Sequence, residues 1–282
     1  MSSSAKILPK KKPYPMLHKS NLETIDFNEL YIEQKSKTTF TPKDEKSWDK
    51  KSHGINERVY KSYYNDTFIS KLNIDPEDTL MDMGCGAGNL SIPLAQTVAH
   101  VHAVDFSANM LNYLKEHQKE SDLQNITTHK QSWYDSWESI PKVDIVIASR
   151  SMEVRDMKVA LQKMYDQAKK AVYLTYKVGG SFVDPLALNT IASEITPKPD
   201  YIYLLNILYS MGIHASIEFI QSEGRGSYYT TAQEYADSVA WSLGELSNDE
   251  KEKLKELYTT MSQKEKESLK APHKWAFISW EK

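Results

Sequence analysis

Residues 79–175 alternate short runs rich in β-branched and aliphatic side chains with stretches of helical periodicity, and few folds accommodate that alternation. The pattern predicts strands at 79–82, 100–105, 126–131, 143–149 and 171–175, with helices at 89–97, 108–119 and 154–169. A helix between successive strands makes the connection a crossover rather than a hairpin. Such crossovers are right-handed, so the strands lie parallel with helices on both faces of one sheet, a doubly wound α/β core.

The first strand-to-helix turn reads Leu80-Met81-Asp82-Met83-Gly84-Cys85-Gly86-Ala87-Gly88-Asn89-Leu90. Glycines there let the backbone turn tightly and approach a ligand closely, at the carboxyl end of a parallel strand where open α/β sheets bind ligands. A dinucleotide loop of the G-x-G-x-x-G kind would need its third glycine at position 89, which is Asn. Asp105 closes the second strand about 20 residues further on, where a carboxylate can accept both hydroxyls of a ribose. Asp82 separates two ligand classes. A carboxylate just ahead of the glycines repels a pyrophosphate at the helix start and suits a ligand carrying an ammonium group. S-adenosylmethionine has such a group and no phosphate.

With the cofactor loop at 81–89 and Val104-Asp105-Phe106-Ser107-Ala108-Asn109-Met110-Leu111 following in order, the chain resembles the class I S-adenosylmethionine-dependent methyltransferases over about residues 48–222 and again at its last strand. The resemblance implies a Rossmann-like, mostly parallel seven-stranded sheet of order 3-2-1-4-5-7-6 with the seventh strand antiparallel, and S-adenosylmethionine as cofactor. It implies that Asp82 orients the methionine ammonium, that the backbones of Gly84, Cys85, Gly86 and Gly88 pass beside the methionine moiety with Asn89 completing the loop, and that Asp105 holds the ribose. Phe106 and Met110 would pack on the adenine. Ser132 and Trp133 occupy the usual adenine-edge position, although the acid often found there is missing, and Trp133 reads equally well as core. Cys85 reads as a loop filler.

The fourth strand ends in Ala148-Ser149-Arg150-Ser151-Met152, the mouth where the transferred methyl should lie. The Asp or Asn followed by two prolines and an aromatic that the family's base-amine enzymes carry here is absent. Cytosine-C5 chemistry needs a cysteine after a proline, and arsenite methylation needs several, whereas Cys85 is the single cysteine. A small-molecule acceptor is the remaining class, with no nucleic-acid or membrane partner. Ser149 borders the cofactor, and Arg150 offers a planar fork for an acceptor carboxylate or phosphate, unless it forms an internal ion pair with Glu153 or Asp184. A general base is optional; His53, His214, Tyr60, Tyr63, Tyr64, Tyr201 and Tyr203 are candidates, each more readily read as packing or surface. Tyr64, in a lid helix predicted over 48–72, is expected to cover the sulfonium by a cation–π contact. Two other uses of the same residues stay open: a noncatalytic S-adenosylmethionine binder, or an aminopropyl transferase on this fold. A nicotinamide oxidoreductase is disfavoured by Asp82 and Asn89.

The rest of the 282 residues reads as additions to that core. Residues 1–47 are polar and irregular, broken by Pro9, Pro13, Pro15 and Pro42, and read as a flexible or wrapping arm. Lys10–Lys12 lie among those prolines and read as a solvated end. After a helix at 201–211 and a strand at 214–221, a helical insertion over 225–272 opens with two capping boxes, Thr231 with Glu234 and Ser247 with Glu250, before the last strand at 275–280. The net charge of −3 offers no general attraction to nucleic acid or anionic membrane. One cysteine permits no intramolecular disulfide and no cysteine zinc cluster, so no metal is expected and a reducing cytoplasm fits. No apolar run approaches the roughly 20 residues that span a bilayer, and no signal-peptide pattern follows Met1. Oligomeric state stays open.

Overall fold

The computed structural model describes residues 21–40, 43–56, 62–191, 196–244 and 246–282. Strands β1 (Thr79–Met83), β2 (His100–Asp105), β3 (Ile126–Lys130), β4 (Val143–Ala148), β5 (Ala168–Lys177), β6 (Ser216–Ser222) and β7 (His273–Glu281) form one sheet of order β3-β2-β1-β4-β5-β7-β6. β1 to β5 pair in parallel, and β7 runs antiparallel between β5 and β6. The chain first steps outward from β1 to β3, then returns to place β4 on the other side of β1. Connections leave in opposite directions at that reversal and open a crevice at the carboxyl ends of β1 and β4.

The period of two along β1 decides which face each side chain meets. Leu80 packs with Val101, Ala103, Ile145 and Ile147 beneath α4 (Ser91–Ala95) and α5 (Ala108–Glu120). Met81 and Met83 join Val146, Val172 and Leu174 on the opposite face, under α6 (Met157–Gln167) and α8 (Tyr201–Ser210). Asp82 therefore shares the face of Leu80 and is buried against α4. The predicted helix at 89–97 shrinks to the five residues of α4. Turn backbone persists through Leu90, and Pro93 is tolerated only in a first turn.

Three additions differ from the expectation. Within the arm, α1 (Phe27–Lys37) is a capped helix: Asp26 accepts hydrogen bonds from the Asn28 and Glu29 amides at 2.9 and 3.0 Å. It docks through Tyr31, which is fully buried and donates to the Val154 carbonyl at 2.8 Å. The sequence hides this helix because Tyr31 is its one buried residue. The lid expected as one helix over 48–72 is two, α2 (Glu45–Asn56) and α3 (Tyr63–Ile69); residues 57–61, Tyr60 among them, lie outside the described residues, as do Lys10–Lys12. The insertion builds α9 (Ala232–Leu243), α10 (Asn248–Thr260) and α11 (Gln263–Ser268), and both expected capping boxes form. With α7 (Pro185–Thr190) and Phe40 these helices enclose a separate apolar cluster around Tyr235 and Leu254. Because β5 and β6 end, and β7 begins, at the same edge of the sheet, this cluster rises from the carboxyl edge that carries the crevice. Trp48 of α2 meets Trp241 of α9 edge-on at 5.5 Å.

Candidate active site

The loop between β1 and α4 is held by its neighbours on three sides. The amides of Gly84 and Cys85 both donate to the Val104 carbonyl of β2, at 2.7 and 3.0 Å, bending the chain back over the strand end. Gly84 has φ +79°, and a Cβ there would sit 2.3 Å from the Ser151 Cβ, so the β1 and β4 loops touch only because this residue is glycine. Gly88, at φ +93°, packs against Ile92 and Leu114 in the same way. A Cβ on Gly86 would meet only the Met110 sulfur at 3.9 Å, which leaves open space beside that backbone.

Two carboxylates flank the loop from within. Asp105 accepts from the Gly86 amide at 2.9 Å and from the Ser107 amide at 2.9 Å, one oxygen each. Burial pushes its carboxyl up, while the Ser107, Gly86 and Phe106 amides oppose the shift. Asp82 is 2% exposed and accepts a single hydrogen bond, from Ser91 Oγ at 2.7 Å. Burial pushes it up to about 7; Ser91 opposes this and the negative charge of Asp105 adds to it. Among the described residues no cation pairs with this buried carboxyl, so its negative charge is poorly compensated and a cationic group would complete it. Burial and the same two acids push the Cys85 thiol up as well, so it stays protonated and has no nucleophilic character.

The residues expected on the adenine side divide. Met110 is buried with Ala87, and Trp48 and Tyr113 pack against the pair. Phe106 is half-buried after Asp105. Asp49, next to Trp48 on α2, accepts from Ser107 Oγ and from the Asn109 amide at 3.3 Å, which fastens α2 over the β2–α5 turn. Sequence reasoning singled out neither Trp48 nor Asp49, although both lie in the predicted lid and they stand beside the residues expected on the adenine side. Past β3, the Ser132 amide donates to Asp135 at 2.7 Å, and Trp133 Nε1 donates to the Ser151 carbonyl at 3.0 Å. Asn89 is half-buried at the loop exit.

At the mouth, Tyr64 of α3 is fully buried, and its hydroxyl bonds Ser149 Oγ at 2.8 Å and Thr175 Oγ1 of β5 at 2.7 Å. Thr175 Oγ1 also accepts from the Arg150 amide at 3.0 Å, and Ser151 Oγ donates to the Met83 carbonyl at 2.6 Å. Arg150 adopts φ +55° and lays its guanidinium over the Tyr64 ring, 4.2 Å from the centroid. The Tyr64 ring carries the Arg150 guanidinium, so Tyr64 positions Ser149 and Arg150 at the mouth. The ion pair read for Arg150 with Glu153 or Asp184 does not form: Glu153 binds Lys35, Lys177 and Lys198, and Asp184 accepts from the Tyr235 hydroxyl. Thr175, the shared partner, gave no sequence signal, because a threonine in a strand is ordinary.

The remaining general-base candidates lie elsewhere. His53 is exposed on α2, with Nδ1 3.5 Å from the Tyr113 hydroxyl. Tyr201 and Tyr203 pack against the α8-side core, Tyr63 is exposed, and His214 is an exposed neighbour of Tyr209.

Comparison with known proteins agrees with this geometry. A family model described as "Methyltransferase domain" matches residues 74–197. An uncharacterized protein from Haemophilus influenzae is 35% identical over 258 residues, covering 91% of this chain and 96% of that protein. A probable cobalt-precorrin-6B C(15)-methyltransferase from Methanococcus maripaludis is 36% identical over 59 residues, 21% of this chain and 33% of that protein. Among solved structures, the YcgJ protein from Bacillus subtilis is similar in fold, with a TM-score of 0.56 at 13% identity over 78% of this chain and 98% of that one. Residues 74–197 of the chain form a methyltransferase domain on the class I fold, and the chain is an enzyme of the S-adenosylmethionine-dependent methyltransferase type.

Proposed function

We propose that this crevice binds S-adenosylmethionine and directs its methyl group to a small-molecule acceptor. The observation that carries the reading is the pair of buried carboxylates around an open glycine backbone, with Asp82 short of a cationic partner. When bound, the cofactor supplies an electrophilic methyl on a sulfonium. Asp82 then takes the methionine ammonium and ionises fully. Asp105, held in place by the Gly86 and Ser107 amides, would accept the ribose hydroxyls on its remaining lone pairs. Met110, Trp48 and Phe106 flank the adenine and exclude water, and Ala87 and Gly86 leave room for the cofactor to lie along the loop. Ser149 and Arg150, held by Tyr64 and Thr175, border the acceptor. Ser149 and Arg150 would orient the acceptor so that its lone pair displaces the cofactor methyl in line, the carbon–sulfur electrons leaving on sulfur and any acceptor proton passing to solvent. Alignment and exclusion of water suffice for much of the rate, and no residue need become covalently modified.

Calorimetric titration tests the reading: S-adenosylmethionine and S-adenosylhomocysteine bind, and NAD does not. Binding of NAD alone overturns it. Incubation with the cofactor and a metabolite pool then adds the mass of one methyl group to an acceptor, which neither a noncatalytic binder nor an aminopropyl transferase would do.

A further inference from the structure

Beside the acceptor mouth stands a cluster the chemistry above does not use. Glu153 lies two residues beyond Ser151, the residue that touches Gly84. Three lysines from three separate elements converge on it: Lys35 of α1 at 2.6 Å, Lys198 ahead of α8 at 2.8 Å, and Lys177, the last residue of β5, at 3.2 Å. Their side chains are only 11%, 14% and 23% exposed, whereas that of Glu153 is 41% exposed. Glu153 is the most exposed side chain of the four. Aromatic rings border it, Phe40 at 5.4 Å from Lys198 and Phe182 at 5.7 Å from Lys177.

Three cations against one carboxylate leave two positive charges over. A surface ion pair places its long chains in water, where such pairs contribute little. Here the lysine stems are packed away and their heads are held close together, an arrangement that costs free energy unless an anion compensates it. Burial and the neighbouring Lys177 push the Lys198 ammonium down, although Glu153 opposes them. Burial would raise Glu153, but the three lysines prevail and hold it well below the usual carboxylate range.

We propose that Lys35, Lys177 and Lys198 form a subsite for a phosphate monoester on the acceptor, with Glu153 occupying the place of that phosphate until it arrives. A phosphate monoester carries roughly −1.5 to −2 at neutral pH, matching the excess of two, and lysines bind phosphate as point charges, whereas a planar carboxylate is better matched by arginine. That the phosphate belongs to the methyl acceptor rests on the function proposed above; the anion site itself does not.

The test is calorimetric titration of the full chain with phenyl phosphate and with benzoate at constant ionic strength. Wild type should bind phenyl phosphate at least tenfold more tightly than benzoate. Lys177→Ala combined with Lys198→Ala should weaken phenyl phosphate tenfold or more while changing S-adenosylmethionine affinity less than twofold. Glu153→Gln discriminates furthest. Removing the competing carboxylate should tighten phenyl phosphate binding, and phosphate should raise that variant's thermal midpoint more than chloride does. If Glu153 is only the node of a structural ion-pair network, Glu153→Gln loses stability and gains no phosphate affinity, and the proposal fails. Equal binding of benzoate and phenyl phosphate also overturns it. A protein that binds phenyl phosphate but not S-adenosylmethionine would refute the methyl-transfer reading and leave the anion site standing; the reverse result would refute the anion site alone.

Discussion

Asp82 is a carboxyl whose ionisation the fold opposes. Burial pushes its carboxyl up to about 7, so at pH 8 the folded state bears a cost on the order of 4 kcal/mol for holding it ionised. Asp82→Asn keeps an oxygen that can accept from Ser91 and removes the charge. The variant should therefore melt at a higher temperature than wild type at pH 8 and lose S-adenosylmethionine affinity by at least a hundredfold; a cooler-melting variant with unchanged affinity would contradict this account. Arg150 acts on the other substrate. Its exposed guanidinium rests on the Tyr64 ring and has no carboxylate partner among the described residues, so Arg150→Ala should raise the KM of the acceptor tenfold or more and that of S-adenosylmethionine less than twofold. Equal small effects on both would refute the assignment. The contrast between these two residues shows what a sequence discloses. Asp82 is announced by its place ahead of three spaced glycines, whereas the partner of Arg150 depended on which side chains three other elements bring to it.

Elements with strong local grammar were readable in advance, and those held by tertiary contact were not. The five parallel strands and the two capping boxes follow from period and spacing, which act over a few residues. Helix α1 has no apolar stripe and is stabilised by what it meets: Tyr31 fills the α6-side core, and Asn28 bridges to Asp156, the cap of α6, at 3.0 Å. Tyr31→Phe should retain the packing and leave the Val154 carbonyl without its buried donor, costing about 1–3 kcal/mol in chemical denaturation. A loss below about 0.5 kcal/mol would mean that α1 rests on the sheet without being fastened there. The lid divides for a related reason: α2 is fastened to the β2–α5 turn by Asp49 and α3 to the β4 mouth by Tyr64, and these anchors belong to different ends of the crevice.

Across the whole molecule, two kinds of buried group pull stability in opposite directions with pH. Burial and neighbouring positive charge lower His102 and His273 to about 4, so between about 6.5 and 4 the unfolded chain takes up protons the folded chain refuses, and stability falls as pH falls. Asp82 does the reverse: the folded chain keeps its proton up to about 7, so stability from this group falls as pH rises from about 4 to 7. The thermal-midpoint difference between Asp82→Asn and wild type should accordingly be near zero at pH 4 and grow to its full size by pH 8; a constant difference would place the effect in packing. The sheet order also has a bearing on synthesis. β6 pairs only with β7, and β7 lies beyond the whole of the 225–272 excursion. A ribosome has therefore made the cofactor loop, both carboxylates and the lysine cluster long before the strand that closes the sheet emerges. Until then β5 presents a bare hydrogen-bonding edge and β6 has no partner, so the nascent chain passes through an interval in which the parts of the site exist but the sheet can be completed by the wrong strand.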